Sequence, residues 1–364
     1  MKVLYVDLER EWRGGQSQAL LTLRGLRERG HDVELLGAQD APLARRAAEA
    51  GIAVHQVPRL GLRLWAAGAI RRLAAGNRLE IVHLNEPHAL TAAWLAGVQK
   101  KVPTVVSRRV AYALHRGRLA RARYLSVRRI LAISRFVRQS ILNSGVSAES
   151  VEVVYEGVEV PPPVTPEARR RARQRWGVGE HELLLGCVGY LLPEKGQELV
   201  VRALLNVRAK IPEARLLLAG DGPCRARLEA VVREQRLQDA VIFAGFVDDV
   251  PQVYAALDVF VFPSLAEPLG TSLLAAMAWG LPVLSVASGG VPEYVEDGKN
   301  GLLVTRPESD LFSAAMLRLL SEESLRVRLG REARRTIEER LSAGRMVENT
   351  IRVYKDILQK KQTP

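Results

Sequence analysis

The sequence predicts an α/β protein made of two doubly wound domains that face each other across a cleft. Three observations predict it. Short, uniformly apolar, β-rich runs alternate with helical stretches, the pattern of parallel strands covered on both faces. The alternation stops and restarts around Pro161, Pro162 and Pro163, with Pro166 close behind. Consecutive prolines suit a semi-rigid spacer, not a helix interior or a central strand. The 364 residues are also enough for two domains of ordinary size.

Taken in order, the first half carries strand-like runs at 2–7 (KVLYVD), 32–37, 52–57, 80–84, 103–107, 129–133 and 151–155. Their valine, isoleucine and leucine content fits a buried pleated surface. The clearest helix spans 16–29. Ala19, Leu20, Leu23 and Leu26 share one face, Arg24, Arg27 and Arg29 lie off it, and Gly30 supplies the stop. A helix at 89–99 follows the loop that holds His88. After the prolines come runs at 183–190, 214–219, 240–244, 258–262, 282–286 and 301–304. Helices fall near 196–210, 223–236, 271–279 and 307–340, and a last one carries Met346, Ile351, Tyr354 and Leu358. The domains are read as 1–163 and 164–344.

Composition narrows the function. Hydrophobic residues make up 48% and charged residues 26%, which excludes disordered and low-complexity classes. The two cysteines, Cys187 and Cys224, form neither a disulfide framework nor a metal-ligand spacing. No run approaches the roughly 20 apolar residues of a membrane span, and MKVLYVDLER reads as a first strand and not as a signal peptide. These features point to the cytoplasm and to no metal site.

The net charge of +13 is uneven. Residues 1–163 hold 25 basic and 14 acidic side chains, the remainder 28 and 26. Residues 100–148 hold twelve basic side chains and no acidic one, Arg108, Arg109, Arg116, Arg118, Arg121 and Arg123 among them. A field of one sign points to an anionic partner. Only Tyr112 and Tyr124 interleave the run, too few for base stacking, so nucleic acid is not expected. A phosphorylated glycan or an anionic membrane surface fits. The alternative is an arginine-rich surface with no partner.

Three segments carry candidate chemistry. Arg13-Gly14-Gly15-Gln16 joins the first strand to the first helix, where glycine backbone and a helix start favour an anion. In Gly189-Tyr190-Leu191-Leu192-Pro193-Glu194-Lys195-Gly196 a short loop presents Lys195, a compact charge suited to phosphate. In the third, strand 258–262 leads to Glu267, then Gly270, Thr271 and Ser272 at a helix start, then Gly289 and Gly290. A carboxylate there can accept from sugar hydroxyls while free N–H groups hold phosphate oxygens. His88 sits where it can face either of two substrates, and His83 reads as a packed strand-end histidine.

With those motifs in hand, the order Gly-Gly, PEKG, AGDGP, FAGFVDD, SLAEPLGTSLL and GLPVL…SGGVPE…DGKNGLLV is similar to family 4 glycosyltransferases of the GT-B class, whose domains are Rossmann-like. The likeness covers almost the whole chain. WRGGQ and SRRV resemble bacterial members that build lipopolysaccharide and other envelope glycans. The resemblance implies a retaining, metal-independent transfer from a nucleotide diphosphate sugar to a glycolipid or lipid-linked glycan, on the cytoplasmic face of the membrane and without a cofactor. It implies that a C-terminal helix over 345–364 crosses back to the first domain. Carried over by position, Gly15 approaches the diphosphate, Lys195 neutralises it, and Glu267 holds donor hydroxyls. Gly270, Thr271 and Ser272 contact sugar and phosphate through backbone, Gly222 lines the cleft, and Val247 with Asp249 matches the base-reading segment. The sequence departs from the pattern at Tyr190, where an arginine is usual, at Ala275, where an acid is usual, and at Ala111, where related sequences often have Asp. Arg13, Arg108 or Arg109 are candidates to replace the missing cation. The other readings are a degenerate relative that binds a glycan or partner, and a nucleotide-sugar epimerase.

Overall fold

The computed structural model of the chain describes residues 1–76, 78–114 and 117–362. It divides into two compact units, Met1–Gly157 with Ala343–Pro364, and Val158–Ser342. The prolines at 161–163 lie inside the second unit.

The first unit runs β1 (Lys2–Asp7), α1 (Gly14–Glu28), β2 (Asp32–Ala38), α2 (Pro42–Glu49), β3 (Ala53–Val57), α3 (Leu62–Gly76), β4 (Ile81–Leu84), α4 (Pro87–Ala96), β5 (Thr104–Arg108), α5 (Arg118–Leu125), β6 (Arg129–Ala132), α6 (Arg135–Leu142) and β7 (Val151–Val153). Its seven strands are parallel in the order β3-β2-β1-β4-β5-β6-β7. The order reverses between β1 and β4. Right-handed crossovers leaving that point in opposite directions place helices on both faces. Hence β1 and β4 are buried almost throughout, as their uniformly apolar sequences require.

The second unit runs α7 (Pro166–Arg175), β8 (Leu183–Val188), α8 (Gln197–Arg208), β9 (Ala214–Ala219), α9 (Arg225–Glu234), β10 (Val241–Gly245), α10 (Val250–Ala256), β11 (Val259–Phe262), α11 (Thr271–Ala278), β12 (Val283–Val286), β13 (Leu302–Val304), α12 (Ser309–Ser321) and α13 (Glu323–Thr336). Its six strands are parallel in the order β10-β9-β8-β11-β12-β13, reversing between β8 and β11. Arg169 and Arg173 bind Asp258 at 2.6 and 3.0 Å and pin α7 to the start of β11. Pro166 starts α7, where its missing N–H has no partner to lose, and Thr165 caps Ala168 N–H at 3.2 Å.

The final helix, α14 (Ala343–Gln362), rejoins the first unit. Val347, Ile351 and Tyr354 share a core with Leu23 and Leu26 of α1. A Cβ on Gly25 would sit 2.5 Å from Val347 Cγ2, so glycine sets the close approach of α1 and α14. Two expectations are corrected. The first helix starts at Gly14, so the glycine pair forms its first turn instead of preceding it. The stretch 307–340 is not one helix: Glu322 turns extended between α12 and α13, and a π-helical turn, Ile337–Leu341, follows. The break lets Phe312 and Met316 on one side and Leu325 and Leu329 on the other enter one core.

Candidate functional site

In each unit the polar side chains gather at the carboxyl ends of the strands beside the reversal point, where open α/β sheets hold ligands.

In the second unit Lys195 follows β8 and Glu267 follows β11. Lys195 Nζ meets Glu267 Oε2 at 2.6 Å, and Ser264 Oγ donates to the same oxygen at 3.0 Å. Glu267 is buried while the lysine keeps partial access to solvent. Backbone bonds hold the two loops together: Leu265 N–H donates to Glu194 O at 2.8 Å, and Gly290 N–H to Glu267 O at 2.9 Å. The loop glycines have reasons inside the protein. A Cβ on Gly289, whose φ is +54°, would lie 1.9 Å from Glu267 O, and one on Gly196 would lie 2.3 Å from Pro263 O. A Cβ on Gly222 would lie 2.6 Å from Leu191 O. The Gly290 N–H is already engaged by Glu267 O.

Gly270, at φ +96°, precedes α11, and no side chain caps that helix. Glu267 therefore serves Lys195 and not the helix end. Tyr294 Oη and Tyr254 Oη brace the turn by donating to Leu269 O at 2.6 Å and Ser272 O at 3.1 Å. The helix start at Thr271 and Ser272 thus sits in a fixed frame beside the Lys195–Glu267 pair. Tyr190 is 59% exposed and gives its carbonyl to Gln197. Val247 is buried, and Asp249 is exposed at the start of α10. Phe246 between β10 and α10 is 78% exposed, an aromatic that sequence reasoning passed over although it lies beside Val247.

In the first unit a buried polar cluster joins β1, α1, β4 and β5. Gln16 Nε2 and Asn85 Nδ2 both donate to Asp7, and Tyr5 Oη donates to Asn85 Oδ1 at 2.7 Å. Arg109 pairs with Glu156 at 2.5 Å and donates to Asn85 O at 2.7 Å. Burial raises the Asp7 carboxyl above its usual range. Glu86 caps α4 by accepting from the Ala89 and His88 N–H groups, and also accepts from Leu8 N–H. Burial, then the nearby Asp7, push its pKa up to about 7. Sequence reading named Arg109 and the turn at Gln16 but missed Tyr5, Asp7, Asn85, Glu86 and Glu156; the signal available was a polar residue at the end of each apolar strand.

Gly15 lies against this cluster. A Cβ there would stand 3.5 Å from Arg109 Cδ, an ordinary contact, so nothing within the unit demands glycine. His88 is in the first turn of α4. Arg63 donates to its Nδ1 from Nε at 3.1 Å and from its terminal nitrogen at 2.7 Å. Burial and Arg63 hold the imidazole pKa below its ordinary value. An arginine can only donate, so His88 carries its proton on Nε2 and is itself a donor there. His83 is packed between Tyr354 and Ser107, its pKa lowered by burial to about 3.

The arginines of the run fall in different settings. Arg109 is neutralised in the polar cluster. Arg108 is buried, and Arg121 donates to Gly145 O. Arg123 donates to Thr91 Oγ1 at 2.7 Å. Arg13 pairs with Glu11. Arg116 lies outside the described residues, as does the side chain of Arg118. Among the described residues no helix is long and apolar enough to cross a membrane.

Two family models match in sequence order: "Glycosyltransferase Family 4" over residues 12–160 and "Glycosyl transferases group 1" over 168–336. The GDP-mannose-dependent alpha-(1-6)-phosphatidylinositol monomannoside mannosyltransferase of Mycobacterium tuberculosis is 31% identical over 73% of this chain and 73% of its own length. The chain spans only about half, 52%, of its counterpart in Mycolicibacterium smegmatis. The lipopolysaccharide core biosynthesis glycosyltransferase LpsE of Rhizobium meliloti is 35% identical over 41% of this chain and 43% of its own length. Anabaena HepE, solved in complex with UDP and glucose, superposes with a TM-score of 0.84 over 98% of this chain and 99% of that one, at 21% identity. Two parallel sheets in this order, a lysine–glutamate pair at the reversal point and both family models in register lead to one conclusion: the chain belongs to the family 4 glycosyltransferases and has the GT-B fold.

Proposed function

We propose that this protein moves a sugar from a nucleotide diphosphate donor to an envelope glycolipid or lipid-linked glycan such as lipopolysaccharide core, retaining anomeric configuration and using no metal. The observation that carries the reading is the Lys195–Glu267 contact of 2.6 Å beside the uncapped start of α11. Lys195 and the amides of Gly270, Thr271 and Ser272 supply positive charge for a leaving diphosphate, the task a divalent ion performs in other transferases. Glu267, held by Ser264, accepts from donor hydroxyls. Gly14 and Gly15 approach the phosphates through backbone, and no internal contact requires glycine at Gly15. Val247, Asp249 and Gly222 frame the base and ribose. His88 donates from Nε2 to a phosphate or hydroxyl oxygen.

The relatives named above support the substrate classes: one is GDP-mannose-dependent, another works in lipopolysaccharide core biosynthesis, and HepE binds UDP. We place the protein on the cytoplasmic face of the membrane. Leu60, Leu64 and Trp65 are exposed beside Arg59 and Arg63, a pairing of apolar and basic groups that suits an anionic bilayer.

The test is a donor panel with product analysis. Lys195→Ala and Glu267→Ala are each expected to abolish most transfer while leaving thermal unfolding close to wild type. Transfer should persist in a chelator, and nuclear magnetic resonance of the product should show the donor's anomeric configuration. Undiminished turnover in both variants overturns the reading. Tyr190, Ala275 and Ala111 favour a second one, a relative that binds without turnover. Calorimetry with nucleoside diphosphates separates the two, because silence toward every nucleotide favours the binder.

A further inference from the structure

Arg108 ends β5 and is 8% exposed. One terminal nitrogen donates to Tyr124 Oη at 3.1 Å and the other to Tyr112 O at 2.7 Å, while its Nε is buried with no partner. The guanidinium carbon lies 5.6 Å from the Tyr124 ring centroid. Every contact is neutral. Its neighbour Arg109 has Glu156, and the buried Arg173 has Asp258. Among the described residues Arg108 has no carboxylate at all. A guanidinium withdrawn from water without a counter-charge is unfavourable, and an anion arriving from outside would relieve that cost.

The space beside it says what arrives. Arg108 lines a cavity of about 550 Å³ within the first unit, a size typical of small-molecule sites. Leu90, Val110 and Leu114 supply apolar wall. Arg63, Arg123 and His88 supply further donors, and among the described residues no acidic one lines the space. Arg63 is oriented by His88, and Arg123 by Thr91. Three fixed positive charges against no negative one suit a doubly charged, compact oxyanion attached to a ring or chain that meets the apolar wall.

We propose that this cavity is a subsite for a phosphoryl group on the acceptor, seated on Arg108 with Arg123 and Arg63 as partners. Calling the ligand the acceptor rests on the glycosyltransferase reading; the anion site does not. The proposal replaces a diffuse basic patch with one cavity, and it makes Arg108 a specificity residue for phosphorylated over neutral acceptors.

The test is calorimetric titration of the full chain with phenyl phosphate and with benzoate, at fixed ionic strength, in wild type, Arg108→Met, Arg123→Met and Arg72→Met. Arg72 is an exposed residue of α3 outside the cavity. Phenyl phosphate should bind wild type, and Arg108→Met should weaken it by about one to two decades. Arg123→Met should weaken it severalfold, and Arg72→Met should leave it unchanged. If Arg108→Met fails to fold by thermal unfolding, Arg123→Met decides. Equal affinity in the cavity variants and wild type overturns the proposal, as does a matching loss in Arg72→Met. Benzoate binding as tightly as phenyl phosphate overturns the phosphoryl assignment. Nucleoside diphosphate binding, read on the same samples, should survive Arg123→Met. Phenyl phosphate held through Arg108 by a protein that binds no nucleotide supports the subsite and defeats the transferase reading separately.

Discussion

Glu86 shows how position sets a residue's chemistry. Its carboxylate caps α4, yet burial and Asp7 raise its pKa to about 7. A group whose folded pKa exceeds its unfolded value contributes most below the unfolded value, and that contribution fades as pH rises toward the folded one. The wild type should therefore lose this contribution between about pH 4.5 and 7. Glu86→Gln should gain on wild type across that window and run parallel to it above. Denaturant unfolding at several pH values checks this; a constant difference between the two proteins would refute it. Gly289 makes the complementary case. Gly289→Ala forces a methyl onto Glu267 O at positive φ, so a loss of about 1–3 kcal/mol is expected, together with loss of nucleotide binding. Residue chemistry was partly legible in the sequence. Lys195 and Glu267 each follow an apolar strand and precede a helix, so both announced themselves. Asp7, Asn85 and Glu156 did not, because their meeting depends on strand order, which no local pattern encodes.

At the scale of elements, Gly25 ties two helices that are more than 300 residues apart in sequence. Gly25→Ala should cost about 1–3 kcal/mol by pushing Val347. Val347→Ala in the same chain should recover part of it, because the clash and the cavity offset each other. Thermal unfolding of the two single variants and the double variant closes the cycle. Strands and helices were legible because a buried parallel sheet demands unbroken apolar runs. Ends were less so: Gly14 joins α1 although glycine usually marks a boundary, and the kink at Glu322 arises from packing on both sides, which periodicity alone does not report.

For the whole molecule, the excess of basic over acidic residues before 163 predicts binding to vesicles containing acidic lipid, falling as salt rises. Flotation with neutral vesicles at high salt is the control, and equal recovery there would refute the membrane assignment. The doubly wound plan was visible in the twofold alternation. That the final helix completes the first unit came from the family likeness, not from its own amphipathic pattern, which any neighbour could satisfy.

That return has a consequence for biogenesis. Tyr354 hydrogen-bonds His83, and Val347 and Ile351 fill a core whose members outside the final helix are all translated first. On the ribosome the leading half must wait, its apolar seam uncovered, until the trailing helix emerges, whereas residues 158–342 already hold everything their own sheet needs. A released fragment ending at residue 342 should thus show protease resistance across 158–342 and sensitivity across 1–157.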